Sequence, residues 1–345
     1  MSSSVSVIIP TFNRGAFIGR AIRSALSQCV PGDEVIVIDD GSTDDTRQVV
    51  ATFGDAVRYH YVPNGGAGRA RNLGVELATK DLVAFLDSDD EWFDGKLQMQ
   101  RDLMDARRDV LFSFSNFAVT FRDGRQVRRY LRNWLTVQRS WDEAIGPGEP
   151  FSGITWLPAG RDDFLVHIGD MSRAELADNY VLTSSLVVRR REAGDSLRFA
   201  EDLPVCEDWY CFAQLSLHGP AAYLDCETTW QHGVAELRIS DAGELSRDRA
   251  WITMNERIWQ REPAFRQQHA EYYERIVQKY QVQLARRLIA AGHVREARAV
   301  MAGIHDVPRS YRLLAQAPGP LIRYTSAVRR WLLRRRPIQG LRVEG

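Results

Sequence analysis

The sequence is poor in lysine, poor in cysteine and free of long apolar runs. Nearly all of its positive charge is arginine, since lysine stands only at Lys80, Lys96 and Lys279. Basic and acidic residues number 45 each, so no net charge draws the chain to nucleic acid or to a membrane. The four cysteines show no CxxC spacing, which favours reduced thiols over a disulfide framework. No apolar stretch reaches the roughly 18 residues of a membrane span. We therefore expect a globular protein without nucleic-acid partners.

The chain begins directly with a strand-like segment, so we expect no leader peptide and a cytoplasmic location. Its 345 residues, 44% of them hydrophobic, suffice for one large or two moderate domains.

Short β-branched segments alternate with amphipathic helical segments through residue 87. The predicted strands are 5–9, 34–38, 57–62 and 82–87. Pro10 should end the first strand, because proline cannot continue a central ladder, and Asn13 should cap the next helix. The alternation predicts a parallel sheet with helices on both faces, and ligands of such sheets bind beyond the carboxyl ends of the strands.

Acidic side chains stand at two of these strand ends. Asp39 and Asp40 follow the second strand, and Asp87, Asp89 and Asp90 follow the fourth. Clustered like charges cost free energy unless a cation compensates them. Carboxylate oxygens suit Mg²⁺ or Mn²⁺, and Mg²⁺ often keeps only one or two protein ligands while substrate phosphates complete its shell. A solvated turn with aspartates at capping positions is the other interpretation.

A glycine-rich break and two arginines follow the third strand. The break is 64–68, and Arg69 and Arg71 open the next helix. Each feature alone is typical of a flexible turn or a solvated surface. Acids and arginines that converge on one sheet edge, however, suit a base, a ribose, a diphosphate and a metal together.

Four sequence blocks carry a resemblance to a known family. They are Val-Ile-Ile-Pro-Thr-Phe-Asn-Arg at 7–14, Val-Ile-Asp-Asp-Gly-Ser-Thr-Asp at 37–44, Gly-Arg-Ala-Arg-Asn-Leu-Gly at 68–74 and Phe-Leu-Asp-Ser-Asp-Asp at 85–90. In this order they resemble glycosyltransferase family 2, whose members are inverting enzymes. The resemblance implies an α/β, GT-A fold with a Rossmann-like, mostly parallel doubly wound sheet, here followed by a helical C-terminal extension.

The resemblance also implies roles for the residues of these blocks. Asp39 would contact the base, Arg71 would lie near the diphosphate, and Asp87 would face the ribose or the metal. The full donor-binding set is Pro10, Thr11, Asn13, Asp39, Asp40, Arg69, Arg71, Asp87 and Ser88. The implied metal ligands are Asp89, Asp87 and His232. For Asp90 two roles remain open, the outer shell of the metal and a helix cap; for His232, a ligand or a structural residue.

An acidic pair later in the chain resembles the motif that holds the catalytic base of the family. Glu207 and Asp208 stand before Trp209. Asp208 is the first candidate for the general base and Glu207 the second. The alternative is an acidic pair at a helix start. The preceding segment, 196–204, departs from the Gly-x-Phe-Asp-Glu pattern of the family, which leaves its loop geometry open.

The resemblance predicts a metal-dependent inverting glycosyltransferase. It would use Mn²⁺ or Mg²⁺ and move a sugar from a nucleotide-diphosphate sugar, by default a UDP-sugar, to a hydroxyl. The acceptor would be a glycan, a lipid-linked molecule or a small molecule, in polysaccharide or glycoconjugate biosynthesis. The alternatives are a non-catalytic nucleotide-sugar-binding or assembly protein and a nucleotidyltransferase. The loop after the first strand lacks the glycine-rich basic sequence expected of the latter.

Three regions are expected: a donor-binding half at 1–100, an acceptor-binding half with the base at 101–238, and a helical extension at 239–345. The segment from Leu321 to Arg336 has the pattern of a basic amphipathic helix. Such a helix can lie at the inner face of a membrane, or it can dock on its own domain with its arginines in water.

Overall fold

The computed structural model describes residues 2–233 and 243–304, which form two compact units. The sheet unit comprises 2–203 and 207–233, and the helical unit comprises 204–206 and 243–304. The strands are β1 Val5–Thr11, β2 Glu34–Asp39, β3 Arg58–Tyr61, β4 Leu82–Phe85, β5 Glu91–Trp92, β6 Phe112–Thr120, β7 Gln126–Val127, β8 Gly148–Pro150, β9 Leu165–Gly169, β10 Val187–Arg189 and β11 Ala221–His232. The helices of the sheet unit are α1 Gly15–Leu26, α2 Thr46–Ala51, α3 Ala67–Leu77, α4 Lys96–Ala106, α5 Leu131–Trp134, α6 Trp141–Ala144, α7 Phe151–Ile154, α8 Ser172–Ala177, α9 Arg190–Ala193 and α10 Glu207–His218.

The first four strands pair in parallel, as the alternating pattern predicts. β1 lies between β2 and β4, and β3 flanks β2. Side chains of β1 alternate between two cores, with Val7 and Ile9 on one face of the sheet and Ile8 on the other. Helices cover both faces, so β1 is buried along its whole length and β2 is buried from Val35 to Asp39.

The second half of the sheet is mixed. Its order continues β4-β10-β6-β11-β9-β8, with β5 on β11 and β7 on β6. β10 is antiparallel to both β4 and β6, so β6 runs in the same direction as β4, and β11 is parallel to β6. The carboxyl ends of β1, β2, β4, β6 and β11 consequently meet at one edge, which we call the carboxyl edge.

Two local expectations are wrong. Pro10 does not end the first strand, because β1 continues to Thr11 in register with β2. The ladder between β1 and β4 reaches only Ile8, so Pro10 has a strand partner on one side alone. Asn13 does not cap α1; Arg14 holds that position without a side-chain cap bond.

The helical unit contains α11 Glu244–Arg257, α12 Pro263–Gln268, α13 Ala270–Ala291 and α14 Val294–Ala302. Gly292 ends α13 in the left-handed region, with φ of 84°. The N–H groups of Gly292 and His293 then donate to the carbonyls of Ile289 and Leu288. This turn returns α14 along α13, and the two helices share an apolar core.

No helix among the described residues is long and apolar enough to cross a membrane. The segment from Leu321 to Arg336 lies outside the described residues, so its predicted membrane contact stays a prediction.

Gly74 lets α3 pack closely on β1. A Cβ added there would lie 2.4 Å from Cγ2 of Ile8. We expect Gly74→Ala to lower the free energy of unfolding by about 1–3 kcal/mol through overpacking, although alanine is the better helix former. Urea unfolding measures the change.

Gly19→Ala is the matched control for this prediction, because the nearest atom to its added Cβ lies at 3.4 Å. We expect it to leave stability unchanged or to raise it slightly. Equal destabilisation by the two variants would contradict the close-packing explanation.

Candidate functional site

The carboxyl edge brings together the residues that the sequence singled out. Thr11 and Asp39 are the last residues of β1 and β2, Asp87 follows β4, and His232 ends β11. Parallel strands place these ends side by side, whereas the residues themselves lie far apart in the sequence. The edge is therefore the candidate site.

Asp39 and Asp40 are buried at the end of β2 and organise the loops around them. The Asp39 carboxylate accepts hydrogen bonds from the Ser42 N–H at 2.8 Å and the Tyr59 hydroxyl at 2.6 Å. Asp40 accepts from the N–H groups of Gly65 and Gly66, each at 2.8 Å. Burial raises the pKa of Asp40, although these N–H groups oppose the rise. Asp40 thus shapes the glycine-rich loop, which the sequence alone did not indicate.

Asn13 ties the loop after β1 to the loop after β2. Its N–H donates to Ser42 Oγ and its Oδ1 accepts from the Thr43 N–H, both at 2.8 Å. Asn13 has a φ of 51°, a conformation that these two bonds hold. Next to it, the buried Thr11 hydroxyl finds no hydrogen-bond partner among the described residues. Pro10, Thr11 and Asn13 thus line one wall of the edge.

Arg71 is buried in α3 and joins two carboxylates from different parts of the chain. Its Nη2 donates to Asp87 Oδ1 and its Nη1 to Glu207 Oε1, each at 2.9 Å. Burial alone would lower the pKa of Arg71, but the Asp87 and Glu207 carboxylates hold it above its usual value. Gly68 lets the start of α3 lie close to Ala200, since a Cβ at residue 68 would be 2.5 Å from the Ala200 carbonyl oxygen. Arg69, by contrast, is exposed.

Asp87 and Asp89 point toward the open side of the edge, and Ser88 between them is buried. Their side chains are 28% and 16% exposed, and each lies near an arginine. Asp89 Oδ2 is 3.6 Å from Arg14 Nε, and Asp87 pairs with Arg71. Both carboxylates are therefore partly accessible from solvent.

A buried turn at Thr183–Ser185 contacts both these acids and Asp208; we call it the connecting turn. The Ser184 hydroxyl accepts from the Asp87 N–H at 3.0 Å and donates to Asp90 Oδ2 at 2.7 Å. The Thr183 hydroxyl lies 3.4 Å from Asp208 Oδ2. Asp90 does not cap α4, because Gly95 holds that position. Its role in the outer shell of a metal stays a prediction. Through the Ser184 bond its carboxylate anchors residues 86–90, which we call the acidic loop, to this turn.

Glu207 and Asp208 begin α10 and have different surroundings. Glu207 pairs with Arg71, while Asp208 accepts from the Trp209 N–H at 2.7 Å. Burial and the neighbouring Glu207 charge raise the pKa of Asp208 to about 7, and Arg71 opposes part of this rise. A carboxyl group with such a pKa can accept a proton near neutral pH.

His232 lies at the end of β11 beside the acidic loop. Its Nε2 is 3.2 Å from Glu91 Oε2, and its ring stacks on Trp230 with 5.6 Å between centroids. Burial and the nearby Arg20 charge lower the pKa of His232, and Glu91 opposes the shift. Glu91 therefore orients the ring.

The acids of the edge fit a cation only in part. Among residues 2–233 and 243–304, no three acidic, histidine or cysteine side chains form a ready metal-binding group. Asp87 and Asp89 supply hard oxygen ligands, which suit Mg²⁺ or Mn²⁺ when substrate oxygens complete the shell. His232 is turned to Glu91 instead.

Comparison with solved structures identifies the fold. The chain is similar to the crystal structure of S. aureus TarS 1–349 in complex with UDP-GlcNAc, with a TM-score of 0.55 and 18% identity over 86% of this chain and 88% of that chain. The fold is that of the GT-A glycosyltransferases, as predicted.

Comparison of sequences finds similarity to one family. Residues 6–151 match the model of glycosyl transferase family 2. A putative teichuronic acid biosynthesis glycosyltransferase, TuaG of Bacillus subtilis, is 38% identical over 145 residues, which are 41% of this chain and 56% of that protein. An uncharacterised glycosyltransferase of Haemophilus influenzae is 34% identical over 128 residues, 36% of this chain and 51% of its own length. The chain thus spans about half of these relatives.

Three contributors to the site were missed by sequence reasoning. Ser184 and Glu91 act through contacts that the sequence does not indicate. Asn72 binds the 199–201 loop through the Phe199 N–H, the Phe199 carbonyl and Glu201. Asn72 lies within the 68–74 block that resembles the family, so membership of this block was the signal that could have indicated its importance.

We expect Ser184→Ala to loosen the acidic loop, because the Asp87 N–H loses its acceptor and Asp90 loses a donor. The cost should be about 1–3 kcal/mol in unfolding free energy. Hydrogen exchange of a peptide spanning 86–92 should also become faster than in the wild type.

Ser216→Ala provides the control, since that buried hydroxyl donates only to the Ala213 carbonyl of its own helix in the contacts seen. It should leave exchange in the acidic loop unchanged. Wild-type exchange in Ser184→Ala would contradict the anchoring role.

Proposed function

We propose that the protein is an inverting glycosyltransferase that uses a nucleotide-diphosphate sugar. The observation that carries this proposal is the Asp87–Arg71–Glu207 ion-pair chain, which holds the acidic loop next to the Asp208 carboxyl group. The family match over 6–151 supports sugar transfer over nucleotidyl transfer.

Asp208 would act as the general base. It would take the proton of the acceptor hydroxyl while that oxygen bonds to the anomeric carbon and the bond from this carbon to the diphosphate oxygen breaks. Attack from the face opposite the leaving group inverts the configuration. Thr183 and the Trp209 N–H would orient the carboxylate, and Arg71 would hold Asp87 and Glu207 in place.

A divalent cation, Mn²⁺ or Mg²⁺, would be held by Asp89 and Asp87 together with the diphosphate. His232 would become a further ligand if its ring turned away from Glu91. When bound, such a cation stabilises the charge of a departing diphosphate. Asp87 and Asp89 are partly exposed and carry the right oxygen ligands, which supports this assignment.

The donor is proposed to be a UDP-sugar. The structural neighbour TarS was crystallised with UDP-GlcNAc, and its fold covers most of this chain. Pro10, Thr11, Asn13 and Asp39 would form the nucleotide wall, and the Gly65–Gly66 loop with Arg69 would border it. Asp39 would use the lone pairs that Ser42 and Tyr59 leave open.

The acceptor is proposed to be a hydroxyl of a glycan, of a lipid-linked molecule or of a small molecule. The relative from Bacillus subtilis is named for teichuronic acid biosynthesis, which supports a role in polysaccharide biosynthesis. We place the protein in the cytoplasm, at the inner face of the membrane if the segment from Leu321 to Arg336 binds there.

We expect Asp208→Asn to abolish sugar transfer while donor binding persists, because an amide cannot accept the proton. Loss of one positioned base typically costs about a hundred- to ten-thousand-fold in rate. In the wild type the rate should rise with pH up to about 7 and level off above, since only the ionised carboxylate accepts a proton. UDP is released when the sugar of a UDP-sugar is transferred to water or to a supplied acceptor. The rate of this release measures both the loss of activity in the variant and the pH profile of the wild type.

Asp195→Asn, at an exposed site, is the control and should keep the wild-type rate and profile. An Asp208→Asn enzyme with an undiminished rate would contradict the base assignment.

We expect one nucleoside diphosphate, by default uridine diphosphate, to raise the melting temperature of the protein in the presence of Mn²⁺. A ligand at about a hundred times its dissociation constant stabilises a fold by about 2.7 kcal/mol. The Mn²⁺-dependent part of the shift should disappear in Asp89→Ala. A thermal-shift panel with uridine, thymidine, guanosine and cytidine diphosphates tests this, and no shift with any of them would contradict the donor proposal.

A further inference from the structure

The segment 121–132, which we call the arginine arm, departs from the charge balance of the chain. It holds five arginines and one acid, whereas the whole sequence has equal numbers of the two signs. All five arginines are exposed; they are Arg122, Arg125, Arg128, Arg129 and Arg132. Such a local excess can attract an anionic partner even when the net charge is zero.

The arm lies at the carboxyl edge, beside the candidate active site. It follows Thr120, the last residue of β6, and its β7 strand pairs back on β6. β6 runs parallel to β11, so Thr120 stands in register with His232. The arm therefore borders the end of the site at which His232 lies, in the part of the chain that we expect from its sequence to bind the acceptor.

Contacts with the edge hold the arm in one position. Arg128 Nε donates to Glu227 at 2.7 Å, and Arg129 pairs with Asp225 at 2.8 Å. Both acids lie where the register between β6 and β11 shifts, and such bulges re-aim side chains. Arg129 adopts a φ of 49°, which these contacts maintain.

Packing connects the arm to His232. The Arg128 guanidinium lies 5.2 Å from the Phe93 ring centroid and 6.0 Å from that of Trp230. Trp230 in turn stacks on His232. At its other end, the buried Leu131 donates its N–H to Asn116 Oδ1 at 3.1 Å. A fixed arm presents its remaining arginines in defined places.

Arg125 and Arg132 are the members best able to bind a ligand. The Arg125 side chain is 66% exposed, lies 4.6 Å from the Phe121 ring centroid, and is 3.9 Å from an equally exposed Asp123, a weak pair. Arg132 lies 5.2 Å from the Trp141 ring centroid and has no acidic partner among the described residues. A guanidinium stacked on a ring keeps its N–H edge for carboxylate or phosphate.

We propose that the arginine arm binds an anionic acceptor chain, through phosphate or carboxylate groups along a glycan. This rests on the proposed function, because only a transferase needs an acceptor at this edge. Arg128 and Arg129 fix the arm, and Arg125 and Arg132 contact the anionic groups. The arm would thus select charged acceptors over neutral ones.

Binding of labelled chains to the full-length protein tests the proposal. The probes are inorganic polyphosphate, an oligogalacturonate and, as a neutral chain of matched length, a maltooligosaccharide, followed by fluorescence anisotropy at low and moderate salt. We expect one or both anionic chains to bind more weakly as salt rises, and the neutral chain not to bind. A preference between the two separates phosphate from carboxylate recognition. The Arg125→Gln/Arg132→Gln variant should weaken this binding by about tenfold, because two charge-assisted contacts are lost.

Arg23→Gln/Arg191→Gln removes the same charge from exposed positions at the opposite edge of the sheet, and it should bind like the wild type. Equal loss in both double variants would overturn the proposal, as would failure of both anionic chains to bind better than the neutral one. Arm-dependent binding of anionic lipid vesicles without binding of either chain would also overturn it, in favour of a membrane contact. The nucleotide thermal shift, which does not involve the arm, shows separately whether the proposed function fails.

Discussion

The buried guanidinium of Arg71 is the contact on which the rest of the site depends. It comes from α3, yet it pairs with Asp87 after β4 and with Glu207 at the start of α10. A buried charge is tolerated only when it is paired, and removal of either acid would leave Arg71 with one of its two carboxylate partners. The ion-pair chain therefore fixes the separation between the acidic loop and the base. The sheet positions the strand ends at the carboxyl edge, and Arg71 joins the loop after β4 to the start of α10.

The same contact gives two adjacent carboxyl groups different properties. Glu207 is bound directly by Arg71. Asp208 lies beside Glu207, and desolvation together with the Glu207 charge raises the pKa of Asp208 to about 7. The raised pKa of Asp208 supports the proposal that Asp208 is the general base, which stays a prediction.

The sequence predicted the parallel half of the sheet because its strands and helices alternate locally and its strand ends carry the acids. It could not predict how β10, β6 and β11 join, since pairing between distant strands leaves no local pattern. The same limit applies to the site. Asp87 and Asp89 were readable from one block, but Ser184 and Asn72 act through partners 97 and 127 residues away. The family resemblance implies only that Asp40 binds the sugar donor. Its hydrogen bonds from the N–H groups of Gly65 and Gly66 became visible only in the structure.

Two segments of this edge hold a residue other than glycine at positive φ. Among the described residues, positive φ occurs outside glycine at Asn13, Arg129 and Cys206. Asn13 joins the loops of the proposed nucleotide wall and Arg129 fixes the arginine arm, whereas Cys206 belongs to the helical unit. Each such conformation costs free energy, about 1–3 kcal/mol, and persists only where surrounding contacts enforce it. Asn13 is held by the bond that its N–H donates to Ser42 Oγ and by the bond that its Oδ1 accepts from the Thr43 N–H, and Arg129 is held by Asp225 and Glu227. At Asn13 and Arg129 the contacts of the edge therefore maintain backbone conformations that an isolated turn would disfavour.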